Sequence, residues 1–579
     1  MSQGTAQSDK RRLLFDDALL ITIMALLAGC GLIYEYLLSH YAGRVLGSVE
    51  SAIYAMIGLM IVSMGLGAFA ARWFKRPETS FAWLEIAIAF VGMLAILFIA
   101  ACIAFIEKLP VLLSSIYNLP PDIHLSGELF ENLRRWSSYL PYFSGFVLGF
   151  MIGMEIPLIA RVRERVYGKH LINNTGTIYG ADYIGAGIGA AIWVTIMLSM
   201  NIADASVWTA SVNLFAGGIF LWRFRESITG FKWLVFTHIV ALVVLLFLFR
   251  HGSVLMNDLA KALYKDNVIF QQQTKFQHLM LTERKISPDK SSVIDLYLNG
   301  RLQFSSADEL IYHSMLVHPA MASSARQERV LIIGGGDGLA LREVQKWQPQ
   351  QVTLVDLDPE LIALFSSQGN TDLPPSIHQR LLELNGDAFS SNNLQVINSD
   401  AFVQIEAFVR EQRLFDVIII DLPDPNHPDL NKMYSVYFYA RIKQLLTADG
   451  TVAIQSTSPF HAQKAFISIG KTLHAAGFHQ VEQYRQNVPS FGEWGWTIAT
   501  KAGMAASSRL QQNMYVLPKN SWVTPELITA AFVFPEGFYS EVDDIKINEL
   551  GSGVLYQYHH KAWSKQVGAF HTSQRPLKN

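Results

Sequence analysis

Cysteine is almost absent from this sequence, which has only two among its 579 residues. Cys30 and Cys102 both lie inside apolar runs. Two cysteines of this kind cannot build a disulfide framework, and they lack the paired spacing of a cysteine-based metal site. We therefore interpret both as small, buried hydrophobic side chains.

Charged residues are also scarce, at 16% of the sequence, against about 25% in typical soluble proteins. The deficit is confined to residues 1–250, and the remainder has the composition of an ordinary soluble domain. The formal net charge is −2, and the second half has no basic stripe, which argues against a nucleic-acid-binding function. The chain is too long for a single core, so we expect two or more domains.

Long apolar runs fill the first 250 residues, and each is long enough to cross roughly 30 Å of hydrocarbon. We count about seven such runs, near residues 18–40, 51–71, 81–106, 136–160, 177–200, 203–222 and 232–249. The N-terminus carries Lys10, Arg11 and Arg12 but no short apolar region followed by a small-residue cleavage site. We therefore expect a first membrane-spanning helix there and not a removed signal peptide.

Three acidic residues, Glu35, Glu155 and Asp182, fall inside these apolar runs. Ionisable groups at membrane depth are costly and usually face a cavity or a charged partner. Two interpretations remain open. The three acids line a path or pocket for a cationic compound, or they pair with arginines near the helix ends.

The stretch Val330–Gly338, VLIIGGGDG, reads as a buried strand and a tight glycine turn, and an amphipathic helix follows from about Leu339. Strand, glycine turn and helix in this order form the nucleotide-binding unit of a doubly wound sheet. The next strand, Val352–Val355, leads into Asp356, about twenty residues past the glycines, where an acid usually binds ribose hydroxyls. The sequence therefore predicts an α/β domain with a nucleotide-type ligand.

A β-rich segment precedes this nucleotide-binding unit. Gln277–Arg284 and Ser292–Leu298 have the pattern of hairpin strands, and Asn299-Gly300 is typical of a type I′ turn. A helix is predicted next, over Ala307–Ala322. Together these elements predict a small β cap that leads into the α/β core.

Five aspartates lie at the ends of strands that we expect in one sheet. Further strands are predicted at residues 394–398, 415–420, 450–455, 480–484 and 496–500. Ligands of such sheets bind outside the carboxyl ends of the strands, and the acids at those ends are Asp337, Asp356, Asp400, Asp421 and Asp424. Five neighbouring carboxylates repel one another unless a cation lies among them. No His/Asp pair has metal-ligand spacing, so we expect a cationic substrate and no metal.

These motifs, in this order, resemble the polyamine aminopropyltransferases, the spermidine synthase family, over residues 270–505. The motifs are FQHL, DELIYHSMLVHP, VLIIGGGDGLALREV, VDLDPEL, NSDAF, FDVIIIDLPDPNHP and MYSVYFY. The first 250 residues look like the helical domain fused to some bacterial members. The expected fold is an N-terminal all-α multi-pass membrane domain of about seven helices and a C-terminal α/β Rossmann-like (class I methyltransferase-like) domain, preceded by a small β cap.

Four segments follow from these changes of composition and motif. Residues 1–250 are the predicted transmembrane helical domain, and residues 251–328 are the β-rich cap. Residues 329–505 are the Rossmann-like aminopropyltransferase core, and residues 506–579 are an extension that we expect to pack on the core. Thr524 is a predicted helix cap within this extension, to which no chemistry is assigned.

The resemblance also implies a role for each matching residue. The nucleoside part of the donor would contact Gln277, Asp356, Asp400, Ala401 and Pro428. Asp337 would meet the amine of the donor. The acceptor polyamine would lie against His313, Asp421 and Asp424, and Asp421 would accept the proton with help from Tyr312.

The donor implied by the resemblance is decarboxylated S-adenosylmethionine, a co-substrate whose sulfonium is already a good leaving group. Neither a metal nor a cofactor is therefore expected, and the enzyme mainly holds an acceptor amine in line with the aminopropyl carbon. Because ammonium pKa values lie at about 10, a carboxylate must take the proton of the amine as attack occurs. Asp421 suits this role, and Asp337 would repel the carboxylate of ordinary S-adenosylmethionine.

Two positions on the acceptor side depart from the family pattern. Ser314 stands where the family usually has an acid, and Gln455 leads into Ser456-Thr457, where another acid is common. Both losses leave the identity of the diamine open. Glu493 could restore a charge partner for the distal amine of the acceptor.

The favoured function is transfer of an aminopropyl group to a polyamine acceptor, with putrescine giving spermidine and methylthioadenosine. One alternative is a methyltransferase that uses ordinary S-adenosylmethionine, because the core fold is shared. Another is a polyamine transporter or sensor whose soluble domain only binds, which the acids within the apolar runs favour. The expected partners are the small-molecule substrates and the lipid bilayer, with no nucleic acid and with a possible homodimer implied by the family.

Basic residues cluster in alternate loops of the N-terminal half, at the N-terminus, 72–76, 161–169 and 223–232. The positive-inside rule puts all four in the cytoplasm, at the cell (inner) membrane. Seven crossings would leave the catalytic domain outside, although its substrates are cytoplasmic metabolites. Three explanations are open: one run does not span the membrane, a short segment such as Leu109–Tyr117 re-enters it, or the catalytic domain faces out. Because of the substrates, we expect a cytoplasmic catalytic domain.

Overall fold

The computed structural model describes residues 2–46, 49–117, 128–168, 173–263, 266–285, 291–369, 371–512 and 516–564. Backbone contacts divide the chain into two units, Met1–Lys265 and Asp266–Asn579. Each unit has its own hydrophobic core. The division follows the change from apolar to charged sequence.

The first unit is helical throughout its described residues. Its helices are α1 (Ser2–Leu46), α2 (Val49–Ala70), α3 (Pro77–Ile116), α4 (Glu128–Ser137), α5 (Leu140–Gly153), α6 (Glu155–Tyr167), α7 (Asn174–Thr195), α8 (Ile202–Arg223) and α9 (Phe231–Leu263). Helix α9 extends well past residue 249, where the predicted apolar run ends. The apolar run stops earlier than the helix because the last turns of the helix are amphipathic and not apolar.

Six segments of the described residues are long and apolar enough to cross a membrane. They are Arg11–Gly43, Ala52–Trp73, Pro77–Pro110, Glu128–Tyr167, Ile202–Arg223 and Phe231–Leu259. The predicted run at residues 177–200 is not among them. The described residues therefore contain six candidate spans, whereas the sequence predicts about seven. That run coincides with α7, whose glycines, threonines and Asp182 lower its apolar character.

Helices α1 and α7 pack with their backbones in direct contact. A Cβ atom added at Gly185 would lie 1.9 Å from the carbonyl oxygen of Ala25, and one at Gly189 would lie 2.5 Å from that of Gly29. Only glycine permits this approach, as in the small-residue interfaces typical of membrane helices. Either substitution by alanine would force the two helices apart.

Glu155 begins α6, directly after a break in the helix at Met154. Its side chain is buried, and its Oε2 atom has no hydrogen-bond partner among the described residues. Arginines at the helix ends do pair with acids, but with other ones: Arg163 with Asp17, Arg223 with Asp16 and Arg165 with Glu78. In the described part of the bundle, no ion pair therefore neutralises Glu155.

The second unit begins with a four-stranded antiparallel sheet, the predicted β cap. Its strands, in spatial order, are β1 (Asn267–Gln273), β2 (His278–Arg284), β3 (Val293–Leu298) and β4 (Arg301–Ser305). Asn299 and Gly300 both have positive φ, as a type I′ turn requires. Helix α10 (Glu309–Ser323) follows, two residues later than the predicted start.

The core of the second unit alternates strands and helices. These are β5 (Arg329–Gly334), α11 (Leu339–Gln345), β6 (Gln351–Asp356), α12 (Pro359–Phe365), α13 (Pro375–Asn385), β7 (Leu394–Asn398), α14 (Ala401–Arg410), β8 (Phe415–Asp421), α15 (Pro428–Asn431), α16 (Val436–Leu445), β9 (Leu446–Gln455), α17 (Gln463–Ala475), β10 (Gln480–Val488) and β11 (Gly492–Thr500). The sheet order is β10-β11-β9-β8-β5-β6-β7, with β9 to β7 parallel and the β10–β11 hairpin antiparallel. This is the doubly wound arrangement that the strand patterns predict.

Three helices follow the sheet: α18 (Ala506–Gln512), α19 (Pro525–Ala531) and α20 (Val554–Ser564). Helix α19 begins at the predicted cap, where the hydroxyl of Thr524 accepts a hydrogen bond from the backbone N–H of Leu527. Ile528 and Leu555 are buried in the two hydrophobic clusters on either face of the sheet. The extension therefore packs on the core at two separate places.

Candidate active site

The parallel strands β5, β6, β7 and β8 end at one edge of the sheet, because neighbouring parallel strands run in the same direction. The five predicted aspartates follow or end these strands. Asp356 and Asp421 are the last residues of β6 and β8. Asp337 lies in the turn after β5, and Asp400 caps the helix after β7. The structure therefore assembles the expected acidic edge.

The glycine turn lets strand β5 approach its neighbours at this edge. A Cβ atom at Gly334 would lie 2.1 Å from the backbone oxygen of Asp421, and the residue has a φ of +81°. A Cβ atom at Gly336 would lie 2.9 Å from Oδ2 of Asp356, which accepts a hydrogen bond from the Gly336 N–H. Both glycines are thus required for the positions of the two carboxylates.

Tyr312 and Asp421 form a buried hydrogen-bonded pair. The tyrosine hydroxyl donates to Oδ1 of Asp421 at 2.9 Å. Burial raises the pKa of Asp421, and the nearby His313 and the Tyr312 hydroxyl partly offset that increase. A carboxylate with a raised pKa is a stronger base, as a proton acceptor for an amine must be.

His313 carries a positive charge beside this pair. Burial disfavours the charged imidazole, but the hydrogen-bonded carboxylate of Glu309 and the carboxylates of Asp421 and Asp337 outweigh it and raise the pKa of His313 to about 9. Nδ1 lies 3.0 Å from Oε2 of Glu309, and Nε2 lies 3.9 Å from Oδ2 of Asp421. Glu309 in turn accepts a hydrogen bond of 2.8 Å from Arg342. Glu309 lies in the DELIYHSMLVHP motif, but the sequence analysis assigned it no role.

Asp337 completes a compact cluster with His313 and Asp421. Its Oδ1 accepts a hydrogen bond of 3.0 Å from the N–H of Leu339, and burial raises its pKa to about 6. One potential ligand atom from each of the three residues lies within 4.8 Å of the others. The geometry alone would allow a metal ion. It equally suits a cation, such as an ammonium group, that donates hydrogen bonds to the two carboxylates.

Asp356 and Gln277 are brought together through Asp358. The carboxylate of Asp356 accepts from the Asp358 N–H at 2.9 Å, and burial raises its pKa to about 6. The Gln277 amide donates to Oδ2 of Asp358 at 2.9 Å. Asp358 was not identified from the sequence, although it lies in the VDLDPEL motif.

Asp400, Ala401 and Pro428 lie where two helices begin at the same edge. Asp400 caps α14 by accepting from the Phe402 N–H at 2.8 Å, and its other oxygen accepts from Lys432 at 2.9 Å. Ala401 is the first residue of α14, and Pro428 is the first of α15. A capping aspartate is a common structural feature, so the ligand role of Asp400 stays a prediction.

Asp424 contacts Thr457, just after strand β9, and His559, in the C-terminal extension. Its Oδ2 accepts from the Thr457 hydroxyl at 3.2 Å and lies 3.0 Å from Nε2 of His559, in helix α20. Its Oδ1 is buried without a hydrogen-bond partner among the described residues. No motif surrounds His559, so only the three-dimensional structure could identify it.

The departures from the family pattern have different structural outcomes. Gln455 donates to the Tyr434 hydroxyl at 2.7 Å, and Tyr434 donates to the carbonyl of Pro423 at 2.9 Å, which ties β9 to the loop after β8. Ser314 is fully buried. Glu493 forms an ion pair with Arg485, so its carboxylate is already neutralised and the expectation that it replaces a missing acid is not supported.

Comparisons with known proteins show which family the chain belongs to. Residues 309–511 match the model of the spermine/spermidine synthase domain. The chain is 55% identical over 554 residues to a polyamine aminopropyltransferase of Shewanella oneidensis, which covers 96% of both chains. It is 32% identical to polyamine aminopropyltransferase 1 of Streptomyces coelicolor, over 94% of both chains.

A solved structure is similar over the second half of the chain. This is the spermidine synthase of Thermotoga maritima, with 24% identity and a TM-score of 0.38, covering 48% of this chain and 87% of that one. The sequence relatives cover almost the whole chain at much higher identity, and the expected resemblance is therefore confirmed. The chain belongs to the polyamine aminopropyltransferase family of enzymes.

Proposed function

We propose that this aminopropyltransferase uses putrescine as its acceptor and forms spermidine and methylthioadenosine from decarboxylated S-adenosylmethionine. The supporting observation is the buried cluster of Tyr312, His313, Asp337 and Asp421, which presents carboxylates to a small cation. Putrescine carries one primary ammonium at each end, and such a group supplies further hydrogen-bond donors to the carboxylates of Asp337 and Asp421. The donor is a co-substrate, and no cofactor is required.

Asp421 acts as the proton acceptor in this proposal. Asp421 takes a proton from the ammonium of the acceptor, and the freed lone pair of the nitrogen attacks the aminopropyl carbon while the bond from that carbon to sulfur breaks. The electron pair of that bond stays on sulfur, so the sulfonium becomes the neutral thioether of methylthioadenosine. The orientation of Asp421 is fixed by the Tyr312 hydroxyl at 2.9 Å. Alignment of the two substrates supplies much of the rate.

The donor occupies the edge formed by β5, β6 and β7. Asp356 would bind the ribose hydroxyls, and Gln277, Asp400, Ala401 and Pro428 would contact the rest of the nucleoside. Asp337 would bind the amine of the aminopropyl group. The carboxylate of ordinary S-adenosylmethionine would meet Asp337 and be repelled.

The acceptor lies between Asp421 and Asp424. His313 would orient the reacting end, because its charge is balanced by Glu309 and Asp421. The distal ammonium would donate to the unpaired Oδ1 of Asp424. This arrangement supports a diamine acceptor over a monoamine.

The two alternative functions are not favoured. A methyltransferase has no need of the acidic acceptor side, and the full-length relatives are named aminopropyltransferases. A transporter or sensor with a binding-only domain has no need of a buried proton acceptor. Within the helical unit, the buried Glu155 remains without an assigned function.

We also propose that the helical unit lies in the cell inner membrane with the active site in the cytoplasm. Six crossings from a cytoplasmic N-terminus return the chain to the cytoplasm, where the substrates are found. The basic loop at residues 223–232 is then an exception to the positive-inside rule. Cysteine-accessibility labelling in intact cells tests this side, with single cysteines placed at Thr229 and at Ser540.

A screen of donors and acceptors tests the proposed reaction. Purified full-length protein is mixed with decarboxylated or ordinary S-adenosylmethionine and with amines of different length, and the products are identified by mass. Putrescine with the decarboxylated donor should give spermidine and methylthioadenosine in equal amounts. Formation of S-adenosylhomocysteine, or a clear preference for another amine, would contradict the proposal.

A further inference from the structure

We propose that His559, in the C-terminal extension, is a positioning residue for the acceptor. It holds the carboxylate of Asp424 by Oδ2 so that Oδ1 faces the distal ammonium of the diamine. The proposal rests on the acceptor-binding role proposed for Asp424. His559 lies beyond the matched family domain, which ends at residue 511, so no family assignment covers it.

The hydrogen bonds of Asp424 are divided between its two oxygens. Nε2 of His559 lies 3.0 Å from Oδ2, and the Thr457 hydroxyl donates to the same oxygen at 3.2 Å. Because an ionised carboxylate only accepts hydrogen bonds, Nε2 must be the donor. Oδ1 is buried without a partner among the described residues. A buried carboxylate oxygen without a donor is costly, and an ammonium group bound there would supply one.

Helix α20 and the segment before it are hydrogen-bonded to residues 431–434, which follow the loop that carries Asp424. The side-chain amide of the buried Asn548 donates to the backbone oxygens of Asn431 at 2.9 Å and Tyr434 at 3.1 Å. The N–H of Tyr556, in α20, donates to the side chain of Asn431 at 3.2 Å. His559 therefore approaches Asp424 from a helix that is held by one hydrogen bond of its own to Asn431 and by two from Asn548, six residues before the helix begins.

The surroundings of His559 hold its ring in place beside Asp424. The Thr457 hydroxyl donates one hydrogen bond to Oδ2 of Asp424, and the ring of His559 supplies the second. The ring of His559 is only 3% exposed and is tilted against Trp563, with the ring centres 6.0 Å apart. The half-buried Arg301 also interacts electrostatically with Asp424. The histidine is thus a packed, directional donor and not a mobile surface side chain.

Steady-state kinetics of full-length variants test this role. His559→Leu removes the donor with little loss of volume, His559→Gln keeps a donor, and His560→Ala is a control on the same helix. His559→Leu should raise KM for putrescine about tenfold, which is ~1.4 kcal/mol of binding. It should change kcat and KM for the donor less than twofold, and His559→Gln should restore most of the affinity.

A monoamine separates positioning from a general structural effect. n-Butylamine matches putrescine but lacks the distal ammonium, and it is measured as a competitive inhibitor against putrescine. His559→Leu should leave its inhibition constant unchanged. An equal loss for putrescine and n-butylamine, no loss for either, or a matching loss in His560→Ala would overturn the proposal. If His559→Leu does not fold, His559→Gln and His559→Asn are compared with the wild type in the same two assays.

These outcomes can be distinguished from failure of the proposed function. If the protein does not transfer an aminopropyl group to putrescine at all, the function fails before any His559 variant is made. If transfer is normal and the His559 variants affect both amines alike, only the positioning role fails.

Discussion

The hydroxyl of Tyr312 donates a 2.9 Å hydrogen bond to Oδ1 of Asp421, across 109 residues of sequence. The tyrosine comes from helix α10, and the aspartate is the last residue of the central strand β8. Both side chains are buried. This contact fixes the carboxylate in one orientation at the point where the sheet edge and the acceptor side meet.

Removing the Tyr312 hydroxyl should slow the chemical step. In Tyr312→Phe, the Asp421 carboxylate loses the donor that fixes its orientation, and we expect this loss to outweigh the accompanying rise in its pKa. We expect kcat to fall by roughly tenfold to a hundredfold, within the usual effect of positioned acid–base groups, with a smaller change in KM for the donor. Tyr439→Phe is the matched control, because the Tyr439 hydroxyl is buried but has no partner among the described residues. Equal rates in the two variants would contradict the assigned role of Tyr312.

Donor capture should weaken below about pH 6. Burial raises the pKa of Asp337 and that of Asp356 to about 6. Above that pH both groups are ionised and attract the ammonium and ribose hydroxyls of the donor; below it they are protonated and that attraction is lost. The kcat/KM for the donor should therefore fall as the pH decreases through about 6. In Asp337→Asn, the decrease of kcat/KM with falling pH should involve one proton fewer and therefore have a smaller slope. An unchanged pH profile would contradict this account.

Asp337 should also make the enzyme bind decarboxylated S-adenosylmethionine in preference to ordinary S-adenosylmethionine. Its carboxylate repels the carboxylate of ordinary S-adenosylmethionine and attracts the amine of the decarboxylated form. In Asp337→Asn, inhibition by ordinary S-adenosylmethionine should become about tenfold stronger relative to binding of the donor. Competition experiments measure both constants in one preparation. A variant that weakens both nucleosides equally would mean that Asp337 does not discriminate.

Replacing Gly334 should disturb the central strand pair. A Cβ atom there would lie 2.1 Å from the backbone oxygen of Asp421, and the left-handed conformation adds strain of about 1–2 kcal/mol. Gly551→Ala is the control, since that glycine also has positive φ but no atom within 4 Å of an added Cβ. We expect Gly334→Ala to lower the melting temperature more than Gly551→Ala and to abolish activity. Equal melting temperatures would show that the close approach at Gly334 is absent.

Local patterns in the sequence predicted much of this site. The glycine turn and the strand-end acids could be identified because parallel strands bring their carboxyl ends to one edge. Asp337, Asp356 and Asp421 therefore lie where the spacing placed them. The Asn299-Gly300 turn was equally predictable, since both residues must have positive φ.

Long-range partners could not be predicted in the same way. His559 reaches Asp424 from 135 residues away and has no motif around it. Glu493 carries the charge that an acceptor site needs, but Arg485 on the neighbouring strand pairs with it. The apolar run at residues 177–200 contains enough hydrophobic residues to suggest a span, yet its glycines leave α7 outside the six candidate segments. The first two outcomes depend on contacts that spacing does not encode, and the third depends on the composition of the run.

The central claim is that Asp421 accepts the proton of the attacking amine, and Asp421→Asn tests it most directly. Asparagine keeps the shape of the side chain and can still bond to Tyr312, but it cannot take the proton. Methylthioadenosine binding, measured by calorimetry on the full-length variant, should stay within about threefold of the wild type. Formation of spermidine at saturating substrates should decrease at least a hundredfold, within the range for a lost acid–base group. Turnover near the wild-type rate in this variant would contradict the account.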